Sequence, residues 1–429
     1  MNQIQAKENP VARILIASLI GTTIEFFDFY IYATAAVLVF PKLFFPSVDP
    51  ASATLESLAT FALAFFARPL GAALFGHFGD RKGRKATLVA ALMTMGPSTV
   101  AIGLLPSYQS IGITAPVLLA VFRFGQGLGL GGEWGGAVLL ATENAPKNKK
   151  AWYGMFPQLG APIGFFISIG TFLLLGNVMN DQQFFSYGWR IPFIASALLV
   201  WVGLYVRLKL TETPDFLKTI EKNETVKIPI VNVFVRYTKA VVLGTLATIT
   251  TFLLFYLMTV FTLSWGTSAL HYTRVRFLVG QMISTLFFGL GIPLSAVLAD
   301  RFGRGKMLLA ATAGIFIFGL FFAPFFGTGS WGTTVGFLVT GMFLMGLTYG
   351  PIGTALAGIF PASVRYTGAS LCFTLAGILG ASLTPYLATT LAKNYGLQYV
   401  GYYLCIAAFI TFIALLAASP LVNEHTETE

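Results

Sequence analysis

The chain is a succession of long apolar stretches separated by short polar ones. Twelve of the stretches are long enough to cross roughly 30 Å of hydrocarbon at about 1.5 Å per helical residue. Lipid-exposed backbone must satisfy its own hydrogen bonds, and the period-two alternation of barrel strands is absent, so the stretches are predicted to be helices. They lie near residues 14–40, 57–79, 86–106, 113–141, 152–177, 189–207, 240–265, 277–299, 307–326, 333–357, 368–391 and 398–421.

The first stretch is expected to remain in the protein as a membrane helix. It carries Glu25 and Asp28 near its middle, and it lacks the short apolar core and small-residue cleavage site of a secretory signal. Hydrophobic residues make up 56% of the 429 and charged residues 10%, whereas a water-soluble chain of this length needs a far larger charged surface. The sequence therefore predicts an all-α membrane protein with twelve transmembrane helices.

Membrane topology accounts for the net charge of +10. If the helices alternate from a cytoplasmic N-terminus, 20 of the 27 Lys and Arg residues fall on the cytoplasmic side and five on the opposite side. This excess follows the positive-inside rule. It predicts a multi-pass protein of a bacterial inner membrane with both termini in the cytoplasm, and it makes nucleic acid an improbable partner.

The helices fall into two groups of six. The longest polar interval, residues 209–239, separates an N-terminal bundle at 1–208 from a C-terminal bundle at 240–429. Such a duplication is typical of transporters built from two pseudo-symmetric bundles, with the substrate site near the bilayer midplane between the repeats. A signature recurs at a constant offset of 220, so that Asp80, Arg81, Gly83 and Arg84 correspond to Asp300, Arg301, Gly303 and Arg304.

Several motifs identify a family. The segment Gly-His-Phe-Gly-Asp-Arg-Lys-Gly-Arg-Lys at 76–85 resembles the loop between helices 2 and 3 of the major facilitator superfamily. Four further segments resemble its metabolite:proton symporter family, which includes shikimate, α-ketoglutarate, citrate and proline/betaine carriers. They are Glu-Phe-Phe-Asp-Phe-Tyr at 25–30, Phe-Ala-Arg-Pro-Leu-Gly at 66–71, the glycine-rich Arg-Phe-Gly-Gln segment at 123–136, and Arg-Tyr-Thr-Gly-Ala-Ser at 365–370.

The chain departs from that family in one motif. An acidic residue usually precedes the Phe-Pro pair before the last segment, but Gly358 and Ile359 precede Phe360 and Pro361 here. An ion pair from this position is therefore not expected. The glycines of the 123–136 segment are predicted to be close-packing surfaces between helices.

Charged residues inside the predicted membrane spans are candidates for function, because burying a charge in the bilayer is costly. Glu25 and Asp28 are three residues apart on helix 1 and share a face, which Tyr32 continues. Arg68 and Arg123 lie at a similar depth, roughly 15–18 Å from the helix ends. We expect Arg123 to pair with Glu25 and Asp28 as their countercharge, and these three residues to couple transport to protons. Alternatively, these charges only hold helices 1, 2 and 4 together.

Arg68 is the predicted substrate anchor, because a guanidinium group pairs well with a carboxylate. A nearby acid would suit Arg68 equally, which leaves a structural role open. The other predicted substrate-binding residues are polar side chains within the spans: Tyr32, Gln126, Gln158, Tyr256, Gln281, Tyr349 and Tyr386. The predicted gating residues are charged groups toward the cytoplasmic ends of the helices: Asp80, Arg81, Arg84, Glu133, Asp300, Arg301 and Arg304.

These features predict a proton-coupled secondary transporter that imports a small organic acid, shikimate-like or a di- or tricarboxylate, by alternating access. The alternatives are a symporter of a zwitterionic osmolyte such as proline or betaine, a facilitator or exchanger, and a non-transporting sensor on the same fold. No cluster of nucleophile, base and metal ligands suggests an enzyme, and Cys372 and Cys405 fall within apolar stretches. We expect no metal and no cofactor beyond the coupling proton, and the expected partners are the substrate, protons and the lipid bilayer, with the protein as a monomer.

Overall fold

The computed structural model describes residues 11–46, 49–82, 84–208, 229–361 and 364–426, and within these ranges the chain is helical with no strand. Twelve long helices run across the bundle. Their bounds are α1 Val11–Leu38, α2 Pro50–Lys82, α3 Arg84–Leu104, α4 Thr114–Gly131 continued as Trp134–Glu143, α5 Lys150–Val178, α6 Ile191–Leu208, α7 Thr238–Ser268, α8 Arg274–Phe302, α9 Arg304–Leu320, α10 Trp331–Ala357, α11 Arg365–Tyr395 and α12 Leu397–Thr426.

Ten of these helices, in the part of the chain that the structure describes, are long and apolar enough individually to cross a membrane. The other two are α4, which is interrupted at Gly132 and Glu133, and α9, which has 17 residues and is followed by the short helix Phe322–Phe326. The prediction of twelve transmembrane helices in two bundles of six is therefore confirmed.

The predicted linker at 209–239 lies partly outside the described residues. Its described end forms the short helix Pro229–Arg236, and α7 begins at Thr238. Further short helices connect the long ones elsewhere: Phe40–Leu43, Tyr108–Ile111 and Asp181–Ser186.

The seam between the bundles repeats the internal symmetry of the chain. Helix α5 of the first bundle packs along α8 of the second, and α2 packs along α11. Helix α5 corresponds to α11 in the repeat, and α2 corresponds to α8. The same two helix positions of each bundle therefore form both halves of the seam, and these positions enclose the space between the bundles.

Glycine allows α2 and α4 to approach closely within the first bundle. A β-carbon at Gly127 would overlap the backbone of Ala64, and one at Gly131 would overlap the carbonyl oxygen of Arg68. Small residues permit such backbone contact between membrane helices. The close approach of Gly131 fixes the height at which α2 holds Arg68.

Two helices of the second bundle contain a π-helical turn beside the seam. These turns span Leu257–Phe261 in α7 and Ile378–Ser382 in α11. A π-turn leaves main-chain groups without their usual helical partners. In α7 the amide of Gln281 compensates by donating to the carbonyl oxygen of Thr259 at 2.5 Å.

Candidate transport site

A small cavity lies between the two bundles, near the middle of the long helices. Its volume is about 30 Å³, room for roughly two water molecules. The first bundle contributes Glu25, Phe26, Tyr30, Arg68, Leu130, Gly131 and Trp134 to its wall. The second bundle contributes Phe252, Phe255, Tyr256, Phe288, Met345, Tyr349, Ser370, Phe373 and Thr374.

Arg68 reaches the cavity from α2 and is almost fully buried. Its guanidinium carbon lies 4.5 Å from the ring centroid of Phe29 and 4.6 Å from that of Phe65. The group is within hydrogen-bonding reach of the Tyr256 hydroxyl across the seam. The facing residue of α11 is Gly377, where an added β-carbon would come into van der Waals contact with Arg68 Nη1 at 3.6 Å.

Glu25 lines the same cavity from α1, also almost fully buried. Neither Glu25 nor Asp28 forms an ion pair with any residue that the structure describes. The cations whose charges act most strongly on Glu25 are Arg207 and Arg68. The Oε2 atom of Glu25 and the Nε atom of Arg68 are buried without a hydrogen-bond partner, which is an unstable arrangement for charged groups.

Asp28 does not line the cavity, although it lies on the same helix as Glu25. Three helical residues advance the direction of the side chain by about 300°, so the two carboxyl groups point about 60° apart. Asp28 faces the hydroxyl groups of Thr99 on α3 and Ser196 on α6. The two acids of helix 1 therefore occupy different environments.

We expected Arg123 to pair with these acids, but it forms no ion pair with either of them among the described residues. Its Nη1 atom donates to Gln126 Oε1 at 2.9 Å, and Gln126 Nε2 donates to Thr99 Oγ1 at 2.8 Å. The guanidinium carbon lies 4.1 Å from the ring centroid of Phe29 and 4.0 Å from that of Tyr32. Phe29 thus stands between Arg123 and Arg68. Gln126 links Arg123 to Thr99, whose hydroxyl donates to the carbonyl oxygen of Met95 at 3.1 Å.

The remaining predicted substrate residues have varied surroundings. Tyr256 and Tyr349 line the cavity. Tyr32 faces Thr60 at 3.0 Å behind Phe29, and Gln281 bonds to the π-turn of α7. Tyr386 is 36% exposed and lies outside the cavity wall.

Gln158 supports the cavity wall without lining it. Its Oε1 atom accepts a 3.0 Å hydrogen bond from the indole of Trp134, and its Nε2 atom donates to the main-chain oxygen of Tyr349 at 2.9 Å. Because Trp134 and Tyr349 lie in opposite bundles, Gln158 joins the two walls. The side chain is fully buried, which makes both bonds costly to lose.

The two bundles meet on the side of the cavity where both termini lie, here called the terminal side. The indole of Trp134 stacks on Phe373 at a centroid distance of 3.6 Å, and the Tyr366 hydroxyl donates to the carbonyl oxygen of Gly132 at 2.7 Å. Gly132 lies in the interruption of α4. The family motifs at 123–136 and 365–370 contain Trp134 and Tyr366. No site role was predicted for these residues or for Phe373, because aromatic residues are common throughout the spans.

The recurring charged motif of the second bundle, Asp300 to Arg304, contacts the first bundle at the terminal side. Both carboxylate oxygens of Asp300 accept hydrogen bonds, at 2.9 Å each, from the main-chain nitrogens of Ala151 and Trp152. These nitrogens open α5, where a negative charge is stabilised by the helix dipole. Arg304 donates to the carbonyl oxygen of Thr354 at 2.7 Å, and Arg301 is exposed with its guanidinium 5.2 Å from the ring of Phe302.

The side chains of Asp80, Arg81 and Arg84, which were predicted as gating residues, lie outside the described part of the structure. Glu133 is described, and it forms a buried ion pair with Arg207 at the end of α6. Arg207 Nη1 also donates to the carbonyl oxygen of Leu88 at 2.8 Å. In the sequence, Arg207 is one of the 20 Lys and Arg residues assigned to the cytoplasmic side. Because it lies one residue before the end of an apolar helix, its side chain can instead fold inward.

The bundles also meet on the side opposite the termini. Arg274, at the start of α8, lies 3.3 Å from Asp181 in the short helix after α5, and its guanidinium lies 4.0 Å from the ring of Phe184. Nearer the cavity, the ring of Tyr30 packs against that of Phe255 of the second bundle, with the centroids 5.2 Å apart and the planes tilted by 35°. Contacts between the bundles therefore close the cavity on both sides.

A largely aromatic cavity that contains one acid and one cation, lies between two six-helix membrane bundles and has contacts between the bundles on either side is the arrangement of a secondary transporter. Comparison with known proteins agrees. Residues 14–228 match the family model "Sugar (and other) transporter" and residues 279–429 match "Major Facilitator Superfamily". The chain belongs to the major facilitator superfamily.

Relatives and solved structures support this assignment. The chain is 57% identical to the inner membrane metabolite transport protein YhjE of Escherichia coli (strain K12), over 94% of this chain and 93% of that protein. It is 37% identical to the shikimate transporter of the same organism, over 88% of this chain and 87% of that protein. The D-xylose-proton symporter crystal structure superposes with a TM-score of 0.75 at 16% identity, covering 96% of this chain and 97% of that one. The predicted resemblance is confirmed, and the protein is a multi-pass membrane transporter rather than an enzyme.

Proposed function

We propose that this protein is a proton-coupled symporter that imports a small organic acid by alternating access. The observation that carries the proposal is that Glu25 and Arg68 line one buried cavity between the bundles. A carboxyl group that can take up a proton therefore lies in the same space as a cation that can bind a carboxylate. The name of the shikimate relative supports an organic acid as substrate.

The coupling follows from competition between negative groups. While Glu25 is ionised, its charge acts on Arg68 and opposes the entry of a second carboxylate. Protonation of the Glu25 carboxylate removes that negative charge, and the substrate carboxylate then binds the Arg68 guanidinium. After the cavity opens to the other side, the substrate leaves, Glu25 loses its proton to water, and the cycle can restart.

Asp28 and Arg123 form a second polar cluster behind Phe29. The hydrogen bonds from Arg123 through Gln126 end at Thr99, which faces Asp28, so both charges lie in one cluster away from the cavity. We propose that Asp28 also takes part in proton coupling and that the charge of Arg123 stabilises its ionised form across this cluster.

The contacts on the two sides of the cavity serve as gates in this proposal. With both termini in the cytoplasm, Asp300 on the start of α5 closes the cytoplasmic side, and Arg274 with Asp181 closes the opposite side. The name of the 57% identical relative supports an inner-membrane location. Rigid-body rocking of one bundle against the other would break one set of contacts at a time.

A second candidate function is symport of a zwitterion. It is favoured by the presence of both a carboxyl group and a guanidinium in the cavity wall, which could bind an ammonium and a carboxylate together. Reconstituted protein distinguishes the candidates. Proteoliposomes are given labelled shikimate, citrate or betaine, with and without an inward proton gradient. Accumulation of an acid that requires the gradient supports the proposal, whereas gradient-independent equilibration of every compound would reduce the protein to a facilitator.

A further inference from the structure

We infer that the substrate is a monocarboxylate whose remaining part is uncharged and largely apolar, which excludes di- and tricarboxylates. The inference rests on the proposed function, since it concerns the same cavity. Among the described residues of the cavity wall, Arg68 is the one cation and Glu25 is the one acidic group. The cavity can therefore neutralise a single carboxylate.

Neither of the other buried cations of the first bundle is available to a second carboxylate. Arg123 is fully buried behind Phe29 and donates to Gln126, and its guanidinium lies between aromatic rings. Arg207 is held by Glu133 at the terminal side. A second carboxylate in the cavity would lose its hydration without gaining a cationic partner, and it would also lie near Glu25.

The remainder of the cavity wall, apart from Glu25 and Arg68, is suited to the apolar part of a ligand. Nine of the sixteen lining residues are aromatic, so most of the surface that a ligand meets is the face or edge of a ring. Hydroxyl groups come from three tyrosines, Tyr30, Tyr256 and Tyr349, and from Ser370 and Thr374. The hydroxyl oxygen of Ser370 is buried without a hydrogen-bond partner. The closed cavity holds only about two water molecules, so a ring or short chain that carries a few hydroxyl groups would match this wall only after the bundles move apart.

Aromatic faces also attract cations, so a zwitterion needs a separate argument. Within the described wall, the one group that can neutralise the ammonium end of a zwitterion is ionised Glu25, whereas proton symport requires that Glu25 be protonated when the substrate is bound. Proton and zwitterion would then weaken each other's binding. A proton and a monocarboxylate strengthen each other's binding, and symport requires this positive coupling between the two ligands.

The test compares three ring compounds of similar size by calorimetry on the purified full-length protein, in the absence of any gradient. They are cyclohexanecarboxylate, trans-cyclohexane-1,2-dicarboxylate and N,N-dimethylproline, measured at pH 8 and pH 6. We expect the monocarboxylate to bind at least tenfold more tightly than the other two, and more tightly at pH 6 than at pH 8. The groups that face Glu25 and bear on this pH dependence are Asp28, Arg68, Arg207, Tyr30, Tyr256 and Tyr349.

The variant Glu25→Gln tests whether Glu25 is the group responsible for the pH dependence. It should remove the pH dependence of cyclohexanecarboxylate binding. Equal or tighter binding of the dicarboxylate or the zwitterion would overturn the inference, as would a lack of binding by both cyclohexanecarboxylate and shikimate. The proposed function is tested separately by gradient-driven uptake. A monocarboxylate that binds but is not accumulated would contradict symport and leave the substrate class established.

Discussion

Trp134 of α4 and Phe373 of α11 stack almost face to face across the seam, with their ring centroids 3.6 Å apart and 7° between the planes. Both residues also line the cavity. The stack is therefore at once the floor of the candidate binding site and a contact that must separate before the cavity opens to the terminal side. In the proposed mechanism, substrate contact and gate opening therefore share the same two side chains.

Removing this stack should favour the form that is open on the terminal side. Aromatic pairs contribute about 0.5–1.5 kcal/mol beyond the area they bury, so Phe373→Ala should shift the equilibrium by about two- to tenfold. The shift can be measured as the rate at which a thiol-reactive reagent labels Ser370→Cys from the terminal side. Phe409→Ala, at an exposed position of α12, is the matched control. Equal labelling rates in both backgrounds would show that the stack is not part of the gate.

The two acids of α1 should differ in their effect on transport. Glu25→Gln should abolish proton-driven accumulation while exchange of substrate across the membrane continues, because a permanently neutral amide imitates the protonated state. Asp28→Asn should impair accumulation as well, but it should leave substrate affinity closer to that of the wild type because Asp28 lies outside the cavity. Uptake driven by a pH gradient and substrate binding should be measured on the same preparations. Full accumulation by both variants would remove these acids from the coupling mechanism.

Arg68 should determine substrate affinity. Arg68→Lys keeps the charge but loses the planar fork that binds a carboxylate through two hydrogen bonds, so we expect about tenfold weaker binding, and weaker binding still in Arg68→Ala. Arg276→Lys is the control, because Arg276 packs over Trp331 on the side opposite the termini. Calorimetry on monodisperse protein is the measurement. If Arg68→Ala is poorly folded yet binds normally, Arg68 has only a structural role.

The buried Glu133–Arg207 pair should stabilise the first bundle. Removing one partner of a buried pair leaves an unpaired charge and typically costs about 3–5 kcal/mol. Arg207→Met should therefore lower the melting temperature markedly, and the double variant Arg207→Met/Glu133→Gln should recover much of the loss. Asp181→Asn breaks the pair with Arg274, in which the Asp181 side chain is itself 83% exposed, and should cost about 0–1 kcal/mol. Identical losses in the single and double variants would contradict this account.

Close contact between α2 and α4 gives a further test. In Gly131→Ala the added methyl group would overlap the carbonyl oxygen of Arg68, so the helices must separate, and we expect lower thermal stability together with weaker substrate binding. Gly336→Ala on α10 is the matched control, since a β-carbon there would meet only open space. A comparable melting temperature and affinity in both variants would show that the α2–α4 spacing is not critical.

The sequence alone determined the transmembrane helices, because a span needs about twenty apolar residues and this requirement is local. It also pointed to Glu25, Asp28, Arg68 and Arg123, since charged residues stand out against an apolar background. The motifs indicated the family for a similar reason: each is contiguous in the chain. Helical periodicity placed Glu25 and Asp28 on one face of the helix. Periodicity alone could not distinguish the different environments of the two carboxyl groups.

The tertiary structure decided which of these charges meet. Whether Arg123 bonds to Asp28 or to Gln126 depends on the ring of Phe29 and on the rotation of α4 against α1, and neither is encoded in a local pattern. Likewise Arg207 pairs with Glu133, 74 positions earlier in the chain, only because α6 packs beside the interruption of α4. The cavity itself has contributions from both bundles, so its single cation and its aromatic wall became visible only when α1, α2 and α4 were placed against α7, α8, α10 and α11.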